Sequence, residues 1–162
     1  SGFDFRSGGD QRKNAIVKAM VERLENCVSI IGQYGNVSDD KHLADTYLVN
    51  LYDQVNGSIY SHPEGGFLDA FNAVDLRRSI VSSVSSSTSR TVLDLHLRVL
   101  KSEPARSVRW ASVDALAKIN GNSPGAIRAG EFKSALEDAL AREDDGISNR
   151  KQRLEALLSS MR

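Results

Sequence analysis

Three histidines and one cysteine are the side chains of this 162-residue chain best suited to act as nucleophile, general base or soft metal ligand, and their spacing does not converge. His42 stands three residues after Asp39 and three before Asp45, so one helical face would present an imidazole between two carboxylates. A metal there needs at least one further ligand from elsewhere. His62 sits beside Glu64 in a Gly/Pro-containing stretch, where a turn accounts for it. His96 falls in the helix expected to be most buried and reads as a core histidine hydrogen-bonded to one neighbour. Cys27 has no Lys or His beside it to depress its pKa and reads as a buried, inert thiol. Joining Cys27 to His96 would supply a nucleophile and a base, but nothing specifies an oxyanion hole. Gly8-Gly9 and Gly65-Gly66 lack the spacing and the following Lys-Ser/Thr of a phosphate-cradling loop. The expectation is a chain with no catalytic residue, no metal and no cofactor.

The basic residues carry a stronger pattern. The 21 Lys+Arg and 21 Asp+Glu cancel overall, but not along the chain. Residues 1–76 hold six basic and eleven acidic side chains, residues 77–128 nine basic and three acidic, and residues 129–162 six basic and seven acidic. Arg98 and Lys101 lie three apart on one helical face, as do Arg106 and Arg109. With Trp110 they form a candidate surface for a protein partner. A second candidate is a phosphate site at Arg77, Arg78, Ser89 and Arg90, where the run Ser82–Ser89 adds hydroxyls and a helix N-terminus. Pairing of the acidic and basic segments inside the fold is the alternative to both. Trp110 is the one aromatic in the basic stretch, and it reads as a core anchor.

The elements that must position these residues are helical throughout. Ile16, Val17, Met20, Val21, Leu24, Val28 and Ile31 make one apolar stripe, predicting a helix from Asp10 with stop signals at Gly32 and Gly35. Residues 1–9, with Phe3 and Phe5 among Gly and Ser, read as a flexible arm. A second helix follows Ser38, carries Leu43, Tyr47, Leu48, Leu51, Tyr52 and Val55 inward, and ends at Asn56-Gly57. Ser58–Gly66 reads as a loop and Phe67 to about Val84 as a third helix, burying Phe67, Phe71, Val74, Ile80 and Val81. Thr88 or Ser89 caps a fourth helix to about Lys101, apolar nearly all round and so central to a bundle. Pro104 opens a fifth, ending at Asn120-Gly121. Ser123-Pro124 marks a sixth, starting there or after Gly125, and Ser148 caps a seventh with Leu154, Leu157, Leu158 and Met161. No stretch alternates with period two. The fold class expected is all-α, a compact bundle of six to seven helices forming a single domain over residues 10–162.

Residues 104–142 resemble a HEAT-type helical repeat. Val108-Arg109, Ala111, Ala115-Leu116 and Gly121 match its first helix, and Ile127–Leu140 would be the partner helix. The resemblance covers that stretch alone, with no second copy at a fixed period, and implies a binding scaffold rather than an enzyme.

Two functions follow as expectations. The first is a non-enzymatic protein–protein interaction or assembly domain, contacting its partner through 98–110 or the N-terminal arm, with Tyr34, Tyr52 and Tyr60 as interface anchors. The first or last helix is also a candidate dimerisation surface. The second is a nucleic-acid-associated domain, a capsid, nucleoprotein or complex subunit, that binds phosphates through 77–109. No apolar run approaches the ~18–20 residues of a membrane span, and no signal-peptide pattern opens the chain. One cysteine excludes an intrachain disulfide and fits an intracellular, reducing compartment.

Overall fold

The computed structural model describes residues 5–37, 40–61, 70–142 and 148–160, and these form seven α-helices with no strand among them. In chain order they are α1 (Phe5–Val37), α2 (Lys41–Ser61), α3 (Ala70–Ser83), α4 (Arg90–Ser102), α5 (Arg106–Asn122), α6 (Ala129–Ala141) and α7 (Ser148–Ser160). The all-α bundle is as the periodicity implied; several boundaries are not. Helix α1 begins before Asp10 and runs through both predicted stop signals. A Cβ at Gly32 would lie 2.8 Å from the Ser83 carbonyl oxygen, and one at Gly35 would lie 2.8 Å from the Ala44 Cβ. These glycines therefore let α1 press against α3 and α2, which outweighs their low helix propensity. Helix α2 likewise continues past Asn56-Gly57 to Ser61. Ser38 and Phe67 lie outside the described residues.

Two hydrophobic clusters share the middle helices. The first gathers Val28 of α1, Leu48, Val49, Tyr52 and Val55 of α2, Ala73, Leu76, Ile80 and Val81 of α3, and Val92, Leu95 and Val99 of α4. The second takes the other side of α4, with Leu93 and Leu100, and joins it to Trp110, Leu116 and Ile119 of α5, Phe132 and Leu136 of α6, and Leu154 and Leu157 of α7. Helix α4 packs on α2, α5 and α6. Its apolar circumference is thus filled from both sides, the expected fate of a helix with little polar face.

The connections explain the remaining boundaries. Ser89 is the N-cap of α4, its Oγ accepting the Val92 N–H at 3.4 Å. Ser123 to Ala126 forms a β-turn, with Ala126 N–H donating to the Ser123 carbonyl at 3.0 Å and Gly125 at φ 86°. Pro and then a positive-φ Gly at the two central positions are type II turn chemistry. Of the two starts the sequence allowed, the one after Gly125 is realised: Ser123 to Ala126 is a turn, and α6 begins at Ala129.

Candidate interaction surface

Three long-range polar devices hold the helices in place. Glu103, at the C-terminus of α4, is buried between α2 and α3. Its carboxylate accepts two bonds from the Arg77 guanidinium, Nη2 at 2.8 Å and Nε at 3.0 Å, and one from the Tyr52 hydroxyl at 2.6 Å. The Ala105 N–H adds a fourth at 3.0 Å. Burial alone would raise the Glu103 pKa, but the bonds from Arg77, Tyr52 and Ala105 outweigh it and hold the carboxyl below its ordinary value. Burial pushes the Tyr52 hydroxyl strongly up, reinforced by the adjacent Glu103 charge. The second device is Asp45 of α2, which is buried and accepts the Ser87 hydroxyl and, at 3.0 Å, the Ser89 hydroxyl. It clamps the serine run to the start of α4. The third is His96, fully buried, whose Nδ1 lies 2.9 Å from the Ser112 Oγ of α5. Burial depresses its pKa to about 4, so it is neutral at pH 7.

The acidic groups of the first two devices and the His96 imidazole of the third are buried. Cys27 is exposed on α1, contrary to the expectation of a buried thiol, while His96 is sealed in α4. The pair forms no dyad. Asp45 faces the serines while His42 is exposed, and among the described residues no cluster could hold a metal ion. The string Gly121-Asn122-Ser123-Pro124-Gly125 spells a nucleophile-elbow pattern. An elbow needs a strand before it and a helix immediately after. Here Ser123 ends α5 and starts the β-turn.

The predicted basic sites are dispersed and largely engaged. Arg98 makes a two-pronged bond to Asp53 of α2, at 2.7 and 3.3 Å. Arg109 donates to the carbonyls of Glu103 and Pro104 at 2.8 and 2.7 Å and so braces the α4–α5 connection. Lys101 is exposed, Arg106 half-buried, and Trp110 buried in the second core with the Arg153 guanidinium 5.7 Å from its ring centre. Of the phosphate candidates, Arg77 belongs to the buried Glu103 cluster, Arg78 faces Asp75 at 3.1 Å, and Arg90 bridges Asp94 and Glu131 at 2.9 and 2.8 Å. Ser89 is committed to Asp45 and Val92. Arg78, Ser82, Ser85, Ser107, Trp110 and Lys118 do share one open groove of about 400 Å³ between α3 and α5.

A second open groove lies elsewhere. The described large apolar side chains that stand exposed are Ile16, Met20, Leu24, Ile30 and Tyr34 of α1 and Leu43 and Tyr47 of α2. Leu43 and Tyr47 were expected inward and are 69% and 55% exposed, whereas the expected anchor Tyr52 is buried. Between the two helices Ile30, Ile31, Tyr34, Leu43, Ala44 and Tyr47 wall an open groove of about 440 Å³. The sequence held the signal: the α1 stripe is wider than one neighbour needs. Set against known protein families, curated proteins and solved structures, the chain matches none. The HEAT-type likeness of 104–142 therefore rests on its residues alone.

Proposed function

We propose that this is a non-enzymatic helical interaction or assembly domain whose partner docks on the α1–α2 face. The observation that carries the reading is that, among the described residues, the exposed large apolar side chains all lie on α1 and α2. Contiguous apolar patches on a soluble domain mark interaction sites, whereas scattered single residues do not. The polar devices support the reading indirectly, because they fix α2 against α3 and α4 and so present a pre-organised surface. Region 98–110 is a poorer docking site, since Arg98 and Arg109 are tied to their own chain. Arg77, Arg78, Arg90 and Arg98 each face a carboxylate, which weighs against the phosphate-binding alternative. No described helix is long and apolar enough to cross a membrane.

The test is co-purification of proteins with the tagged full chain, including an untagged copy of itself. Leu24→Glu and Tyr47→Glu are expected to remove the bound proteins while circular dichroism stays unchanged. An unchanged set of partners with both variants overturns the reading. Salt-sensitive nucleic-acid binding that survives in both variants would favour the alternative.

A further inference from the structure

Helix α1 carries more apolar surface than its two neighbours cover. Ile16, Met20, Leu24, Cys27, Ile30 and Tyr34 recur every three or four residues along one side, and all are exposed. The face that packs on the bundle is a different one, through Val21, Val28, Gly32 and Gly35. Toward the N-terminus Ala15, Ile16, Lys18, Ala19 and Met20 are all exposed, with Val21 the first buried side chain described in the helix. The outer stripe therefore stays exposed from Ile16 to Tyr34.

We infer that this face binds a second copy of the chain, with the two α1 helices antiparallel across a two-fold axis. The inference rests on the docking reading above and names the partner. Three observations carry it. First, the positions 16, 20, 24, 27, 30 and 34 read nearly the same from either end. A two-fold contact needs that property, because residue i must meet j while j meets i. Second, an axis near Glu25 sets Ile16 of one copy opposite Tyr34 of the other, and Met20 opposite Ile30. The exposed Ile16 and Met20 of each α1 then lie along the Ile30–Tyr34–Leu43–Tyr47 groove of the other copy, so each copy covers the other's exposed apolar side chains. Third, the seven exposed apolar side chains present several hundred Å² per copy, the scale of the ~800 Å² per partner that a specific interface buries. Cys27 falls within about one helical turn of the axis in this arrangement.

Sedimentation equilibrium of the full chain over about 1–100 µM, a range in which mass action separates monomer from dimer, tests the inference. The wild type is expected to dimerise. Ile30→Glu and Leu43→Glu, on two different helices, should each raise the dissociation constant at least tenfold with circular dichroism unchanged. Lys101→Glu, off the face, should leave it alone. A short bis-maleimide, to which each Cys27 thiol adds across a double bond, should trap the wild-type dimer and fail with Leu43→Glu. A monomer throughout, a dimer indifferent to both face variants, or a dimer that the bis-maleimide does not trap overturns the antiparallel pairing. If the chain is monomeric yet Ile30→Glu abolishes capture of a different protein, the docking reading stands and self-association falls. If the face variants alter neither, both fall.

Discussion

Helices α1 and α4 are both rich in apolar residues, and they meet opposite fates. In α4 Val92, Leu93, Leu95, His96, Val99 and Leu100 point to two sides of the helix, and the bundle supplies a core on each. In α1 the apolar residues also spread over a wide arc, but among the described residues it packs mainly on α2 and α3, and Ile16, Met20, Leu24, Ile30 and Tyr34 remain exposed. Apolar width alone therefore does not place a helix at the centre of a fold. It states how much neighbouring surface the helix needs. Where the described neighbours supply too little, as at α1, apolar side chains stay exposed. The two helices also differ in how their ends are held. Helix α4 is tied by Ser89 to Asp45 at its start and by Glu103 to Arg77 and Tyr52 at its finish, whereas in α1 Ala15, Ile16, Lys18, Ala19 and Met20 are all exposed.

The contrast can be pressed hardest at Glu103. Glu103→Ala leaves Arg77 charged, buried and without its counter-ion, and should cost about 3–5 kcal/mol in urea unfolding. A loss under about 1 kcal/mol would mean that the end of α4 is not anchored there. Leu95→Ala, at 0% exposure in the same helix, should cost about 2–5 kcal/mol by the same measurement.

His96 gives α4 a pH signature. Its folded pKa of about 4 lies below the ordinary 6.5, so the unfolded chain takes up the proton first. Its share of stability is whole above about pH 6.5 and falls as pH drops toward 4, by up to about 3 kcal/mol. His96→Gln should flatten that part of the profile relative to wild type. Equal slopes in both proteins would remove His96 as the cause. Glu103, held below its ordinary pKa, acts in the same direction at lower pH.

On α1 the expected effects are smaller and depend on the face. Gly32→Ala pushes a methyl group against the Ser83 carbonyl and should cost about 1–3 kcal/mol in thermal unfolding. Ile30→Ser, at a concentration dilute enough to keep the chain monomeric, should change stability by no more than about 0.5 kcal/mol. A large loss there would show that the outer stripe is held by the chain's own residues, and the distinction between the two helices would collapse.

Much of the fold was legible because helical periodicity is a local property. The stripes of α4 and α6, the Ser89 cap and the burial of His96 and Trp110 follow from residues within a few turns of one another. Boundaries failed where a distant partner overrode the local signal. Gly32 and Gly35 look like terminators to any reading of propensity, but they are contact points for Ser83 and Ala44. The Glu103 cluster had no signature at all, since Tyr52 and Arg77 stand 51 and 26 residues away. The basic stretch that looked like a binding patch is largely drawn into ion pairs with acidic residues from α2, α3, α4 and α6, including Asp53, Asp75, Asp94 and Glu131.

By itself the sequence determined that this chain is helical, that its helices number about six to seven and that α4 has little polar face, because those depend on spacing along one helix. Only the tertiary structure decided which apolar stripes are covered and which charges are neutralised. Both questions turn on what stands opposite a side chain, and that neighbour comes from dozens of residues away.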